Sequence, residues 1–552
     1  MDNKFKFFKN KKILTILPHE DDELNLIGGL LNSNYIDKDK LYITYVTNGD
    51  YYCKTETRVK EVTKSLKRCG VKKENLIFLG YCDQQFSENT HIYMTDENSS
   101  FESKNSRKET YFISGQNEYA WLKRKKHSQF NKEALINDLE TLIMDIMPDI
   151  IFVNDFDSHP DHRCISLCFD STIGKVLKKT KDYFPNIYKG FCYPTEYNGY
   201  DDYDNINLLS TKFKKEKNNE FDCQNPYYSW KERIRFCVGK ETFKYSLLTN
   251  KLYKCLLEHK SQLLLRKYKS IINSDQVFWQ RQTNNLCLTA SIEATSGNTK
   301  YLNDFMTFDC ENIMHKDTSF PIFKNVSWIP KKEDKEKKIT IKLKNSSQIS
   351  EIKFYQNSIS KGKIKDINVK FDNGEKKYIQ LENKLCNTLN VNTKEKINNI
   401  EIEVVSQETN DAGFSEIEII PSKEKNVEFL KILIDDNFTN DIYYVNDLKY
   451  KIDVYCYNGS ESLKLSHNNF IFKIDNKIIN YKDLNNYIDK DYTLKIALKD
   501  NEEIYDEVKI KHIKPINKVF FILKKNTNKI ILKKDVFVSR VHNKIKRVLK
   551  RM

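Results

Sequence analysis

Long apolar runs are missing from this chain of 552 residues. No stretch approaches the roughly 18–20 apolar residues that a membrane-spanning helix needs. A hydrophobic content of 39% is low for a membrane protein but ample for buried cores. The N-terminus, MDNKFKFFKNKK, is basic, and the apolar run after it covers only Ile13 to Leu17. That is too short for the apolar region of a signal peptide. The thirteen cysteines are odd in number and include no Cys-x-x-Cys pair. This argues against a disulfide framework and points to reduced thiols in a reducing compartment. Cys164 and Cys168, four apart, read as one face of a helix. A Gly-x-Ser-x-Gly elbow and a phosphate-cradling glycine loop are also absent, so neither a serine nucleophile nor a phosphate-binding loop is indicated. A cytoplasmic protein is expected.

The net charge of +15 is unevenly spread. Residues 511–552 hold 14 Lys and Arg against one acidic residue, Asp535, so +13 of the total lies in the last 42 residues. The first 510 residues are nearly balanced. The length suits roughly three or four domains.

Two stretches carry chemistry. Ile13-Leu14-Thr15-Ile16-Leu17 is a short buried-strand pattern stopped by Pro18. It delivers His19, Glu20, Asp21, Asp22 and Glu23 to its C-terminal end, where open α/β sheets bind ligands. His19 and Asp22 are three apart and reach one metal ion if a helix begins there. The same acidic run also reads as a charged N-cap cluster. The second stretch is the apolar run Ile150-Ile151-Phe152-Val153-Asn154-Asp155, with His159-Pro160-Asp161-His162 shortly after it. Two metal-competent side chains again sit three apart beside a carboxylate at a strand's end.

Together these stretches resemble the PIG-L/LmbE-like family of zinc-dependent N-acetylglucosamine deacetylases. That family carries a (P/A)HPDDE-type motif early in the chain and an HPDH motif later. Glu20 stands where the family commonly has proline, which bears on loop shape. The resemblance implies His19, Asp22 and His162 as metal ligands and Asp21 as general base. It implies His159 as the group that stabilises the oxyanion or protonates the leaving amine, and Asp161 as the carboxylate orienting an imidazole. Two imidazoles and one carboxylate suit Zn²⁺, with Fe²⁺ as the alternative. Thr47-Asn48-Gly49-Asp50 resembles the family's T-D-G loop, and Leu79-Gly80-Tyr81-Cys82-Asp83 its L-G-x-x-D. Arg58 and Glu61 match its R-x-x-E pattern and read either as a substrate contact or as an intrahelical ion pair. Arg58 and Asp83 are taken as substrate-binding. Lys251 to Gln262 resembles the family's closing helix with its K-S-Q ending.

The expected fold class is α/β. A Rossmann-like, mostly parallel sheet over residues 1–275 is followed by two all-β sandwiches and a basic amphipathic tail. In the first domain, strands are expected near 13–17, 41–47, 76–80 and 150–155, with helices near 23–33, 56–69, 132–147 and 162–179. Residues 84–131 are polar and aperiodic and read as a rim or lid loop. Lys123-Arg124-Lys125-Lys126 at its end reads as a solvated charge run or a phosphate contact. Residues 287–422 show alternating strands and look similar to discoidin (F5/8 type C)-like modules, which either bind sugars or lipids or pack on a neighbour. The size and strand spacing of 425–512 suit an immunoglobulin-like sandwich. In the tail, 513–552, Val519 to Leu523 reads as a short strand. From Lys533 onward, Phe537, Val541, Ile545, Val548 and Met552 recur at helical spacing among Lys and Arg. Such a helix suits an anionic membrane surface, and no nucleic-acid motif accompanies it.

The expected function is zinc-dependent removal of the N-acetyl group from N-acetylglucosamine or a related amino sugar. The substrate is expected within a glycolipid or surface-polysaccharide intermediate, with residues 533–552 placing the protein on the inner face of the membrane. A catalytically inactive carbohydrate-binding protein on the same fold, and a deacetylase of a small soluble thiol-sugar precursor, are the competing readings.

Overall fold

The structure, a computed structural model, describes residues 6–85, 90–111, 118–193, 197–198, 206–213, 225–244, 246–267, 271–314, 322–424, 426–445, 450–459, 461–487, 490–513 and 515–549. Its first part is built on a seven-stranded sheet. Strands β1 (Ile13–Leu17), β2 (Leu41–Thr47), β3 (Leu76–Tyr81), β4 (Ile150–Asn154) and β5 (Asn186–Gly190) run parallel. β6 (Ile234–Cys237) and β7 (Asp275–Arg281) add antiparallel, in the order β3-β2-β1-β4-β5-β7-β6. β7 thus runs past the expected end of the domain near 275.

β1 and β4 are buried at every position, as parallel strands covered on both faces must be. The covering helices include α1 (Asp22–Leu31), α2 (Thr55–Arg68), α3 (Tyr119–Arg124), α4 (Lys132–Ile146), α5 (Pro160–Lys179) and α6 (Lys251–Leu256). β1 lies between β2 and β4, where the chain order reverses. That is the switch point at which such sheets open a crevice for ligands.

Both chemical stretches are helix starts at this point. Asp21 occupies the N-cap position of α1, with Asp22 and Glu23 in the first turn, where carboxylates meet the positive end of the helix dipole. His159 is the N-cap of α5, its Nδ1 accepting the Asp161 N–H at 3.3 Å. Pro160 opens that helix, where its missing N–H costs nothing.

The next part is a sandwich. A five-stranded sheet (Ser291–Ala294, Lys338–Ser347, Ile397–Gln407, Ile364–Phe371, Lys376–Gln380) faces a three-stranded one (Cys386–Asn390, Ile349–Gln356, Phe414–Pro421) across a common apolar core. A second sandwich follows, with sheets of four and five strands between Phe429 and His512 around its own core. Both pack on the first part. Arg281 reaches Glu418 at 3.3 Å, and Arg235 reaches Asp436 at 2.7 Å. The fold class is therefore the expected α/β sheet followed by antiparallel β modules.

The tail differs from its reading. Val519 to Leu523 is not a strand but part of one long helix, α7 (Pro515–Leu549). Inside it, Ile531, Leu532 and Val536 pack on the core of the first part. Among the described residues no helix is long and apolar enough to cross a membrane. All described cysteines are free thiols.

Candidate active site

β1 and β4 bring His19, Asp22 and His162 to one point. His19 Nδ1 stands 3.2 Å from Asp22 Oδ2 and 3.3 Å from His162 Nε2. Asp22 Oδ2 is 3.3 Å from His162 Nε2. Donor atoms about 2.0–2.1 Å from a tetrahedral ion are roughly 3.3–3.4 Å from one another, so this triangle has the edge length of a zinc-sized site. Wider donor groups, His19–His159–His162 and His19–Asp83–His159–Asp161, lie within 4.8 Å. The tight triangle is the better-formed set, because the outward nitrogens of both its imidazoles are already engaged.

Those engagements set the tautomers. His19 Nε2 is 3.0 Å from Asp161 Oδ2, and His162 Nδ1 is 2.8 Å from Asp157 Oδ2. With a proton on each of those nitrogens, the lone pairs of His19 Nδ1 and His162 Nε2 face the centre of the triangle. A carboxylate behind each imidazole is what a metal-binding histidine commonly has. Asp157 is itself fixed by the backbone N–H groups of His159 (3.1 Å) and Tyr193 (3.0 Å). The Tyr193 ring stacks on His162, centroids 4.9 Å apart.

Charge is unbalanced here. Glu20, Asp21, Asp22, Asp83, Asp157 and Asp161 are all buried, and so is Arg58, the guanidinium among them. Burial works against a proton on His19, yet Asp83, Asp161 and Asp22 raise it well above the ordinary imidazole range. Burial likewise opposes a proton on His162, but Asp157 and Asp22 push it up to about 9. A buried nest of carboxylates that holds protons on its imidazoles is short of positive charge. A divalent cation supplies it with the donor set present.

The remaining expected residues surround this triangle. Asp21 Oδ1 accepts from Arg58 Nη2 at 2.8 Å. Arg58 Nε also lies 3.2 Å from Glu20 Oε2, and its Nη1 lies 3.8 Å from Asp83. Arg58 is therefore not paired with Glu61, and the intrahelical reading is wrong. Glu61 instead accepts from the backbone N–H and hydroxyl of Ser261, at 3.0 and 2.7 Å, binding α2 to the K-S-Q segment. Asp83 Oδ1 is 3.5 Å from His19 Nε2.

Glu20 is fully buried beside Arg58. Desolvation pushes its carboxyl up to about 7 against the pull of that guanidinium. The loop after β2 makes room for it with Gly49 at φ +55°, where a Cβ would sit 2.4 Å from Glu20 Oε2. His159 is the most open of the three imidazoles. Burial, with His19 and His162 adding, holds it well below its ordinary value, so it is neutral. Its Nδ1 lies 3.3 Å from the Asp161 N–H and its Nε2 lies 2.9 Å from the Gln85 amide nitrogen, which also donates to Asp83.

Two residues of the site were not anticipated. Asp157 had a readable signal, an extra carboxylate between β4 and the HPDH run. His91 had none within its polar loop. Its Nε2 lies 2.8 Å from Asp161 Oδ1, and its Nδ1 accepts the Tyr93 N–H at 3.1 Å. Gln84 N also donates to Asp161 Oδ2 at 3.0 Å. The described part of loop 84–131 thus covers the site from one side. Lys123 and Arg124, in the basic run, pair with Asp145 and Asp138.

No curated protein matches the chain. Among solved structures, an N,N'-diacetylchitobiose deacetylase from Pyrococcus horikoshii is similar over 51% of this chain and 87% of its own, at 15% identity and TM-score 0.27. A fucose-binding module of Streptococcus pneumoniae is similar over 25% of this chain and 98% of its own, at 14% identity and TM-score 0.20. Discoidin II of Dictyostelium discoideum is similar over 26% of this chain and 60% of its own, at 12% identity and TM-score 0.20. The family model described as "PIG-L: GlcNAc-PI de-N-acetylase" matches residues 14–172, and that part of the chain is a PIG-L domain.

Proposed function

We propose that this protein is a metal-dependent deacetylase that hydrolyses the acetamide of N-acetylglucosamine or a related amino sugar, as part of a lipid- or polymer-linked saccharide. The observation that carries the reading is the triangle of His19 Nδ1, Asp22 Oδ2 and His162 Nε2, with Asp21 and His159 beside it. These three atoms would hold the ion, zinc by the donor set and ferrous iron as the alternative. When bound, the ion supplies Lewis acidity and brings the pKa of its water down to roughly 7.

The protein groups then divide the work. Asp21, oriented by Arg58, takes the proton from the attacking water. His159 is assigned to stabilise the oxygen that gains charge as the acetyl carbon becomes tetrahedral, or to protonate the leaving amine. The proton taken by Asp21 leaves with the amine. Asp161 and Asp157 keep His19 and His162 in the tautomers that face the ion. Arg58 and Asp83 are assigned to substrate contact. In the same reading the basic C-terminal segment brings the enzyme to an anionic leaflet, the cytoplasmic one, where such lipids attract Lys and Arg.

The test is acetate release from GlcNAc-containing lipids, nucleotide sugars and oligosaccharides, with metal-stripped enzyme as control. Release from none of them by metal-loaded protein rejects the reading.

A further inference from the structure

Helix α7 has two apolar faces, and only one of them is covered. On the covered face, Asn528 Oδ1 accepts from the Leu247 N–H at 3.1 Å. Asp535 Oδ2 accepts from the Tyr253 hydroxyl at 2.9 Å, and Asn543 Nδ2 donates to the Lys260 carbonyl at 2.9 Å. Between these bonds, Ile531, Leu532 and Val536 pack on the core of the first part. Asp535, the one acidic residue of the tail, is spent on this attachment.

The opposite face is open. Val519, Leu523, Ile530, Phe537 and Val541 are spaced four, seven, seven and four residues apart, which puts them in one line along a helix. Leu523 is 61% exposed, and Ile530 and Phe537 are each 67% exposed. Apolar side chains scattered singly over a surface are ordinary, but a continuous row is not. At 1.5 Å per residue the row is roughly 33 Å long. Lys533, Lys534, Arg540 and Lys544 are exposed along its margins. An apolar line edged by cations matches a surface with an apolar interior and an anionic border.

We infer that α7 is a fixed lipid-docking ridge. Its row Val519–Leu523–Ile530–Phe537–Val541 enters the headgroup boundary of an anionic bilayer, while its other face stays joined to the first part. This rests on the membrane reading above and specifies it. The seat is a line beginning at Val519, not the segment from Lys533 onward, and the catalytic part is held at the surface directly rather than on a tether. Of the row first expected, Phe537 and Val541 lie on this line; the side chains of Ile545, Val548 and Met552 are outside the described residues.

Deleting the helix would strip Ile531, Leu532 and Val536 from the core, so the test uses full-length protein with point changes. Cosedimentation is measured with vesicles of phosphatidylcholine alone and of phosphatidylcholine mixed with phosphatidylglycerol. Wild type should pellet with the mixed vesicles, less so as salt rises. Ile530→Glu with Phe537→Glu should lower that partition roughly tenfold or more at an unchanged melting temperature. Leu523→Ser with Val541→Ser reads the same row without added charge. Lys533→Gln with Arg540→Gln should lower binding to the anionic vesicles alone. If wild type ignores both vesicles, the membrane reading itself fails and this inference with it. If wild type pellets and both apolar-row variants pellet equally, the membrane reading stands and the ridge is rejected. Loss of a self-associated form in the row variants, with no vesicle binding by wild type, would make the row a protein interface and overturn the proposal.

Discussion

His91 Nε2 lies 2.8 Å from Asp161 Oδ1, and through Asp161 it is linked to His19. The loop over the site therefore reaches the His19 imidazole by two hydrogen bonds. Fully buried behind Asp161, His91 is proposed to act by positioning. His91→Ala should weaken metal binding by about 10–100-fold, read by competition with a chelator. His91→Gln, which keeps an N–H for Asp161, should recover part of the loss. Equal metal affinity in wild type and His91→Ala would remove His91 from the site.

Asp21 and Arg58 act as a pair. Asp21→Asn should keep the metal and lower kcat by roughly 10²–10⁴-fold, the range of a lost acid–base group. Arg58→Ala should lower kcat as well, because it frees the Asp21 carboxylate and leaves Glu20 and Asp83 without their cation. Metal loss in Asp21→Asn would exchange the roles of Asp21 and Asp22.

Glu61 is a structural partner of Ser261. Glu61→Ala leaves the half-buried Ser261 N–H and hydroxyl without this acceptor, at a cost of about 1 kcal/mol. Denaturant unfolding should show this loss, while kcat of the folded enzyme should change little. A large fall in kcat at unchanged stability would give Glu61 a role in the chemistry.

Stability should fall as pH rises through the titration of two carboxyls of the first sandwich, Asp304 and Glu416. Burial pushes Asp304 up to about 7 and raises Glu416 well above its ordinary value, with Asp304 adding. Both carboxyls bind protons more tightly in the folded state than in the unfolded one. Stability from them is full below about pH 4 and is lost as pH rises toward 7 and beyond. Asp304→Asn should flatten that slope, by up to about 4 kcal/mol between its ends. An identical pH–stability curve for wild type and Asp304→Asn would contradict this.

Much of the first part was legible, for a physical reason. Strands buried on both faces, such as Ile13–Leu17 and Leu41–Thr47, are runs of apolar, aromatic and β-branched residues with sharp ends. α5 begins at Pro160, two residues before its expected start, because the HPDH run is itself the cap and first turn. Arg58 and Glu61 misled because their partners are 37 and 200 residues away, beyond any local pattern. Val519 to Leu523 read as a strand because α7 is apolar toward both the core and solvent, which blurs the 3.6-residue period. His91 was invisible because nothing in a polar loop marks the residue that folds under it.

The central claim is that His19, Asp22 and His162 hold the ion with which this chain cleaves an acetamide. Zinc titration of the stripped enzyme, with acetate release from a GlcNAc-containing substrate as the readout, tests it most directly. Release should climb to a plateau at about one ion per chain in wild type and stay at background at every zinc level in Asp22→Ala. Full release from the stripped enzyme, or a wild-type response from Asp22→Ala, would contradict the account.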